Sequence, residues 1–228
     1  MQIRSLGKAW KQKNDRNRHY REKTRRCGER DYGKTEGINM REFVLISHGI
    51  TEPFALNSLP NAGRMDIVSN AVRSAFWLSF QIRKDVVFHL FLYGKPNPWI
   101  YIRFEGKKLK KASPDERNLA ILIRKAIERI NDRETESTPG VFVSRKGLKD
   151  FFEKHKEKNI YVLDENGKNI SNIEMKKDPV FVLGDNLGIP SEYQELLLNF
   201  PKISLSPVSY LASECITIVN YLLDQKKI

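Results

Sequence analysis

Cysteine is scarce. Cys27 and Cys215 are the only two in 228 residues, one near each end, so no disulfide framework or zinc spacing follows. No cluster of His, Cys and carboxylates has metal-ligand spacing, which argues against a metal site. No apolar run approaches the roughly 20 residues that a membrane span needs. The N-terminus carries charges but no apolar stretch of the secretory kind. From these absences a cytoplasmic protein is expected. A G-x-G-x-x-G string is also missing, so a Rossmann dinucleotide site is not indicated, and there is no internal repeat.

Acidic residues, too, are in short supply. The formal net charge is +12, which points towards a polyanionic partner. The imbalance is uneven: residues 1–39 hold 12 of the 40 Lys and Arg but only 5 of the 28 Asp and Glu. That segment lacks apolar periodicity and cannot bury enough surface to offset the entropy of ordering it. We read 1–39 as a basic, disordered or non-native extension and 40–228 as the folded domain; the whole chain is 40% hydrophobic, enough to build a core.

From Met40 the pattern alternates. Apolar strands are expected at 43–46, 86–92, 99–104, 140–144, 160–163, 180–183 and 202–205, and helices at 64–82, 114–130, 145–156, 191–199 and 208–225. Ser113, Pro114 and Glu116 read as a capping box at N-cap, N1 and N3, and Ser191 as a second N-cap. The order implies an α/β fold with a mainly parallel sheet flanked by helices. His89, inside an apolar strand, reads as core, and Lys107, Lys108, Lys110 and Lys111 as a basic loop open to phosphate contact.

Three late strands run into polar or glycine-containing loops: Leu163-Asp164-Glu165, Leu183-Gly184-Asp185-Asn186-Leu187-Gly188, and Leu205-Ser206-Pro207-Val208. Ligands of open α/β sheets bind at the carboxyl ends of strands, and glycine lets backbone approach a ligand closely. Each loop alone reads as a plain turn. In this order, with Ser213-Glu214-Cys215-Ile216 in the terminal helix, they resemble the SPOUT methyltransferases. The Gly63-Arg64-Met65-Asp66 element and the Leu-Ser-Pro-Val loop make residues 40–228 similar to the archaeal tRNA pseudouridine-54 N1-methyltransferases.

That resemblance implies a C-terminal trefoil knot, a rarity among folds. It implies a homodimer, S-adenosyl-L-methionine as cofactor, and a tRNA containing pseudouridine as substrate. Carried onto this sequence, the cofactor site falls on Leu163, Gly184, Ile203, Leu205, Ser206, Val208 and Cys215. Asp66, Asn70, Arg73 and Trp77 share one stripe of a helix. There Asp66 would accept or orient a proton on the base, while Arg64 and Arg73 would hold phosphate. A relative that methylates rRNA pseudouridine, and a non-catalytic knotted RNA-binding protein, are the alternatives.

Deleting residues 1–39 is expected to leave the melting temperature unchanged and to weaken RNA binding, with a shallower dependence on salt as cationic contacts are lost. Thermal melts and salt-titrated RNA binding of the truncated protein check this; a large drop in melting temperature contradicts it.

Overall fold

The computed structural model describes residues 40–226 except Pro98. The basic extension and Cys27 therefore lie outside the described residues. β1 (Arg41–Ser47), β2 (Val86–Leu92), β3 (Ile100–Glu105), β4 (Thr135–Thr138), β5 (Val141–Ser144), β6 (Asn159–Asn169), β7 (Pro179–Gly184) and β8 (Lys202–Ser204) form one sheet, in the order β4-β5-β3-β2-β1-β7-β6-β8. Among the described residues the α-helices are α1 (Met65–Phe76), α2 (Glu116–Glu128), α3 (Leu148–His155), α4 (Ser191–Leu197) and, after the last strand, α5 (Ala212–Lys226). After α1, residues 78–81 make a short turn closed by a hydrogen bond from the Leu78 N–H to the Gln81 carbonyl.

The parallel part of the expectation applies to β2, β1, β7, β6 and β8; the sheet as a whole is mixed. β3, β5 and β4 pair antiparallel. Connection length explains the split: parallel neighbours need a long crossover, whereas antiparallel ones can be joined by a turn. Pro139 and Gly140 make such a turn between β4 and β5. Gly140 belongs to the turn rather than to the strand, with φ 81°, and a Cβ there would lie 2.5 Å from the Leu109 nitrogen.

Side-chain alternation divides the core into two layers. Val44, Ile46, Phe91, Tyr101 and Val182 pack with Phe151 of α3 and Leu197 of α4. On the other face Phe43 stacks on Phe181, and Phe76 of α1 meets Phe104 and, through it, Phe88. α1 packs against α5 and α2. α5 also closes the end of α1: the Asn220 amide donates to the carbonyls of Ser74 and Ala75, two of the carbonyls a helix end leaves without intrahelical partners.

Several boundaries move. α1 stops at Phe76, not at 82, because Trp77 turns to extended backbone; Trp77 thus leaves the proposed polar stripe. The N-cap of α2 is Asp115 rather than Ser113: its carboxylate accepts from the Asn118 N–H, while Asn118 accepts from the Ser113 N–H. This keeps the reciprocal logic of a capping box two residues later. α4 begins after Pro190, with no side-chain cap from Ser191. β4 has no apolar signature in the sequence, and β6 continues past the expected turn to Asn169.

All seven residues of β1 are buried, including Arg41 and Glu42. A buried charge must be paired. Arg41 meets Asp85 and Asp224, each at 2.9 Å. Glu42 receives Lys158 and, at 3.0 Å, His89 Nε2. Burial pushes the Glu42 carboxyl up, but the hydrogen bond from His89 and the hydrogen bond and charge of Lys158 outweigh it and hold it at about 2. Burial pushes His89 down, against the pull of Glu42. His89 is therefore neutral, donating from Nε2 to the carboxylate and accepting at Nδ1 from the Tyr101 hydroxyl at 2.7 Å.

Both folded-state pKa values lie below their ordinary ones. The stability they contribute is present above the ordinary values and is lost as pH falls below about 6.5 for His89 and from about 4.5 towards 2 for Glu42. The melting temperature should fall steadily on acidification. Glu42→Gln should cost about 1–3 kcal/mol at neutral pH and should converge on the wild type only as pH falls to about 2. Parallel melting curves across that range contradict the assignment.

Candidate active site

β7, β6 and β8 lie side by side and parallel, so their carboxyl ends open on one edge of the sheet. The loops leaving them, together with the start of α5, enclose a cavity of about 790 Å³, within the range of small-molecule sites. Leu163, Gly184, Ile203, Leu205, Ser206, Val208 and Cys215 all line it. The structure thus brings together all seven residues named from the sequence. α4 adds Gln194 and Leu197, and its C-cap Leu198, which no sequence signal marks because only the chain path brings them there.

Each loop is held by its own polar groups. In β6, Leu163 and Lys168 both oppose Ile203 of β8, so residues 164–167 bulge out of the ladder. Asp164 fixes the bulge by accepting from Lys202 at 2.7 Å and from the Asn166 N–H at 2.9 Å. The Lys202 bond, with smaller help from Asn166, keeps its carboxyl below the usual range. After β7, the Gly188 N–H donates to the Asp185 carbonyl, and Gly188 sits at φ 79°. A Cβ on Gly184 would lie 2.4 Å from the carbonyl carbon of Gly188 and 2.7 Å from the Ile189 nitrogen. After β8, the Ser204 hydroxyl donates to the Ser206 carbonyl, and the Ser206 hydroxyl accepts from the Val208 N–H.

Cys215 faces this cavity from the first turn of α5. Its thiol lies 3.7 Å from the Tyr210 carbonyl, and burial pushes it up to about 11. A thiol so protonated at neutral pH is a poor nucleophile; Cys215 is a lining group.

Arg64, Asp66 and Arg73 do not line the cavity. Arg64 grips Asp66 through two hydrogen bonds, at 3.0 and 2.9 Å. That grip, opposed by burial, keeps the Asp66 carboxyl low, and a carboxylate in the first turn is further favoured by the helix dipole. Gly63 and Arg64 are consecutive left-handed residues, at φ 62° and 60°. For Arg64 this is a strained conformation of the kind that gathers at functional sites. Arg73 is exposed in the last turn of α1. Lys107, Lys110 and Lys111 are exposed too, whereas Lys108 pairs with Glu105.

The two regions are joined through residues 48–50. A Cβ on Gly63 would sit 2.6 Å from the Ile50 nitrogen, and the Met65 methyl packs on Gly49. His48 is bonded to Asp185, which lines the cavity: its N–H donates at 2.6 Å and its Nδ1 lies 3.0 Å from the same carboxylate. In the sequence His48 reads as a loop histidine that could accept a proton but is more often bland, and Asp185 as one residue of the glycine-containing loop after β7. They are 137 positions apart, and only the pairing of β1 with β7 brings them together.

Among the described residues no helix is long and apolar enough to cross a membrane, and no group of three or more His, Cys, Asp or Glu could hold a metal ion.

Residues 40–228 match the family model of the SAM-dependent RNA methyltransferases. The tRNA (pseudouridine(54)-N(1))-methyltransferase of Methanocaldococcus jannaschii is 42% identical over 203 residues, covering 83% of this chain and 98% of that protein. The enzyme of the same name from Methanosarcina acetivorans is 39% identical, covering 82% and 92%. Among solved structures, Archaeoglobus fulgidus Nep1 bound to S-adenosylhomocysteine is similar with a TM-score of 0.60, over 83% of this chain and 99% of that one. At 14% identity that likeness speaks for the fold.

Gly184→Val should reshape the cavity wall, because its side chain meets backbone rather than a flexible side chain. Overpacking typically costs about 1–3 kcal/mol, so affinity for S-adenosylhomocysteine should fall by about ten- to a hundredfold. Isothermal titration checks this; undiminished binding contradicts the role given to Gly184.

Proposed function

The chain belongs to the SAM-dependent RNA methyltransferase family, and from that premise we propose that it methylates N1 of pseudouridine 54 in tRNA, giving 1-methylpseudouridine. The observation that carries this reading is the convergence of three parallel strand ends and α5 on one cavity, in a chain whose relatives at about 40% identity bear that activity in their names. S-Adenosyl-L-methionine, when bound, supplies the methyl group, whose bond to sulfur breaks with its electron pair passing to sulfur to leave S-adenosylhomocysteine.

The cavity suits that molecule in size and chemistry. Leu163, Ile203 and Leu205 offer apolar wall to a flat ring. The turns at 164–167, 184–188 and 205–208 offer backbone and hydroxyl groups to polar edges. We assign Gly184, Ser206, Val208 and Cys215 to the same task. Positioning the reacting groups and removing a proton are the protein's own contributions.

Asp66 is the catalytic group proposed on the substrate side, where it accepts or orients an N–H of the base. Arg64 holds that carboxylate, and Arg64 and Arg73 meet the RNA backbone. Leu187, Val208 and Leu211 are exposed apolar residues on the cavity rim. Such a rim supports a homodimer in which a second subunit covers it. The SPOUT likeness supports threading of the C-terminal segment as a trefoil knot, and the chemistry suits a cytoplasmic enzyme.

N1 of uridine is tied up in the glycosidic bond, so only pseudouridylated tRNA should accept a methyl. Nucleoside mass spectrometry of the two tRNAs checks this; equal labelling contradicts it. Asp66→Ala should slow transfer by about 10²–10⁴-fold and leave S-adenosylhomocysteine affinity unchanged.

A further inference from the structure

Asp66 is an unpromising final acceptor for the N1 proton. Arg64 occupies both of its oxygens and holds its pKa down. A second set of groups stands at the carboxyl ends of β1, β2 and β7. The Asp185 carboxylate is 5% exposed and accepts from the His48 and Leu187 backbone N–H groups. The His48 ring, about a third exposed, turns Nδ1 to that carboxylate and Nε2 to the Tyr93 hydroxyl. An ionised carboxylate can only accept, so Nδ1 carries the proton. Nε2 of the neutral ring is then the acceptor, and the Tyr93 hydroxyl must be the donor. Trp99 and Tyr193 pack around Tyr93, at centroid distances of 5.7 and 6.4 Å, and fix where its oxygen points.

Resting on the methyltransferase reading above, we infer that Tyr93, His48 and Asp185 form a relay that receives the N1 proton of the target base. The N1–H bond breaks and its electron pair stays on N1, where it makes the new bond to carbon. The proton goes to the Tyr93 oxygen as the Tyr93 proton passes to His48 Nε2. Asp185 remains ionised and faces the imidazolium that results. The order follows the logic of other buried carboxylate–imidazole–hydroxyl systems: the carboxylate sets the tautomer, the imidazole takes the proton, and the hydroxyl meets the substrate. Tyr93 is thus the residue that takes the proton from the base, and His48 and Asp185 act through it. Burial keeps the phenol from ionising on its own, so it gives up its proton only as it gains one. Asp66 is left to orient the base.

Wild type, Tyr93→Phe and His48→Ala are compared on pseudouridylated tRNA with S-adenosylmethionine. Each variant should lower kcat by about 10²–10⁴-fold, with the melting temperature and S-adenosylhomocysteine affinity of the wild type. Added imidazole should restore part of the rate to His48→Ala and none to Tyr93→Phe. Independently of turnover, ring-nitrogen NMR of the wild type should show His48 as the Nδ1–H tautomer. An inactive wild type sinks the methyltransferase reading and the relay with it. An active wild type overturns the relay alone if either variant is as fast, if imidazole fails to restore His48→Ala, or if His48 carries its proton on Nε2.

Discussion

Asp185 leaves β7 with its carboxylate turned inwards, and most of the reactive end of the molecule is arranged around it. One oxygen takes the Leu187 N–H and shapes the turn that walls the cavity; the other takes the His48 N–H and fixes the exit of β1. Those exits lie side by side because β1 and β7 are parallel neighbours in the middle of the sheet. α1 in turn rests on residues 49 and 50, so the Arg64–Asp66 pair is placed relative to the cavity through the same few atoms. Removing the Asp185 carboxylate would leave both backbone N–H groups without their acceptor, which is costly.

The opposite end of the sheet solves a related problem for a different purpose. Arg41 and Glu42 open a strand that is buried on both faces, and each is met by partners from distant elements. These pairs tie β1 to α5, β2 and the start of β6. They fix where the central strand sits, and with it the position at which Ser47 hands over to His48. Neutral His89 and ionised Glu42 make that anchorage sensitive to acid.

Much of the fold was legible in the sequence. β1, β2 and β7 are nearly continuous apolar runs, the signature of strands covered on both faces, and the helices between them have one apolar stripe each. β4 was not legible, because Thr135–Thr138 carries no apolar alternation and is held in place by β5. The end of α1 was overrun because Trp77 and Leu78 prolong an apolar pattern that the backbone abandons. Within the site, the seven lining residues came from the order of three strand-end loops and a resemblance, and they do surround one cavity. Their ligand and their roles rest on the proposed function. Tyr93 and Asp185 gave no comparable signal, and His48 only that of a loop histidine able to accept a proton, which is ordinarily bland; strand order alone makes these three neighbours.

The central claim is that the cavity at the ends of β6, β7 and β8 receives the methyl donor, with Asp185 coupling it to the end of β1. Hydrogen–deuterium exchange with and without S-adenosylhomocysteine tests this most directly. Protection should appear in residues 163–167, 184–189 and 203–215, and extend to 48–50, while 135–144 exchange unchanged. Protection confined to regions outside the three loops would contradict the account.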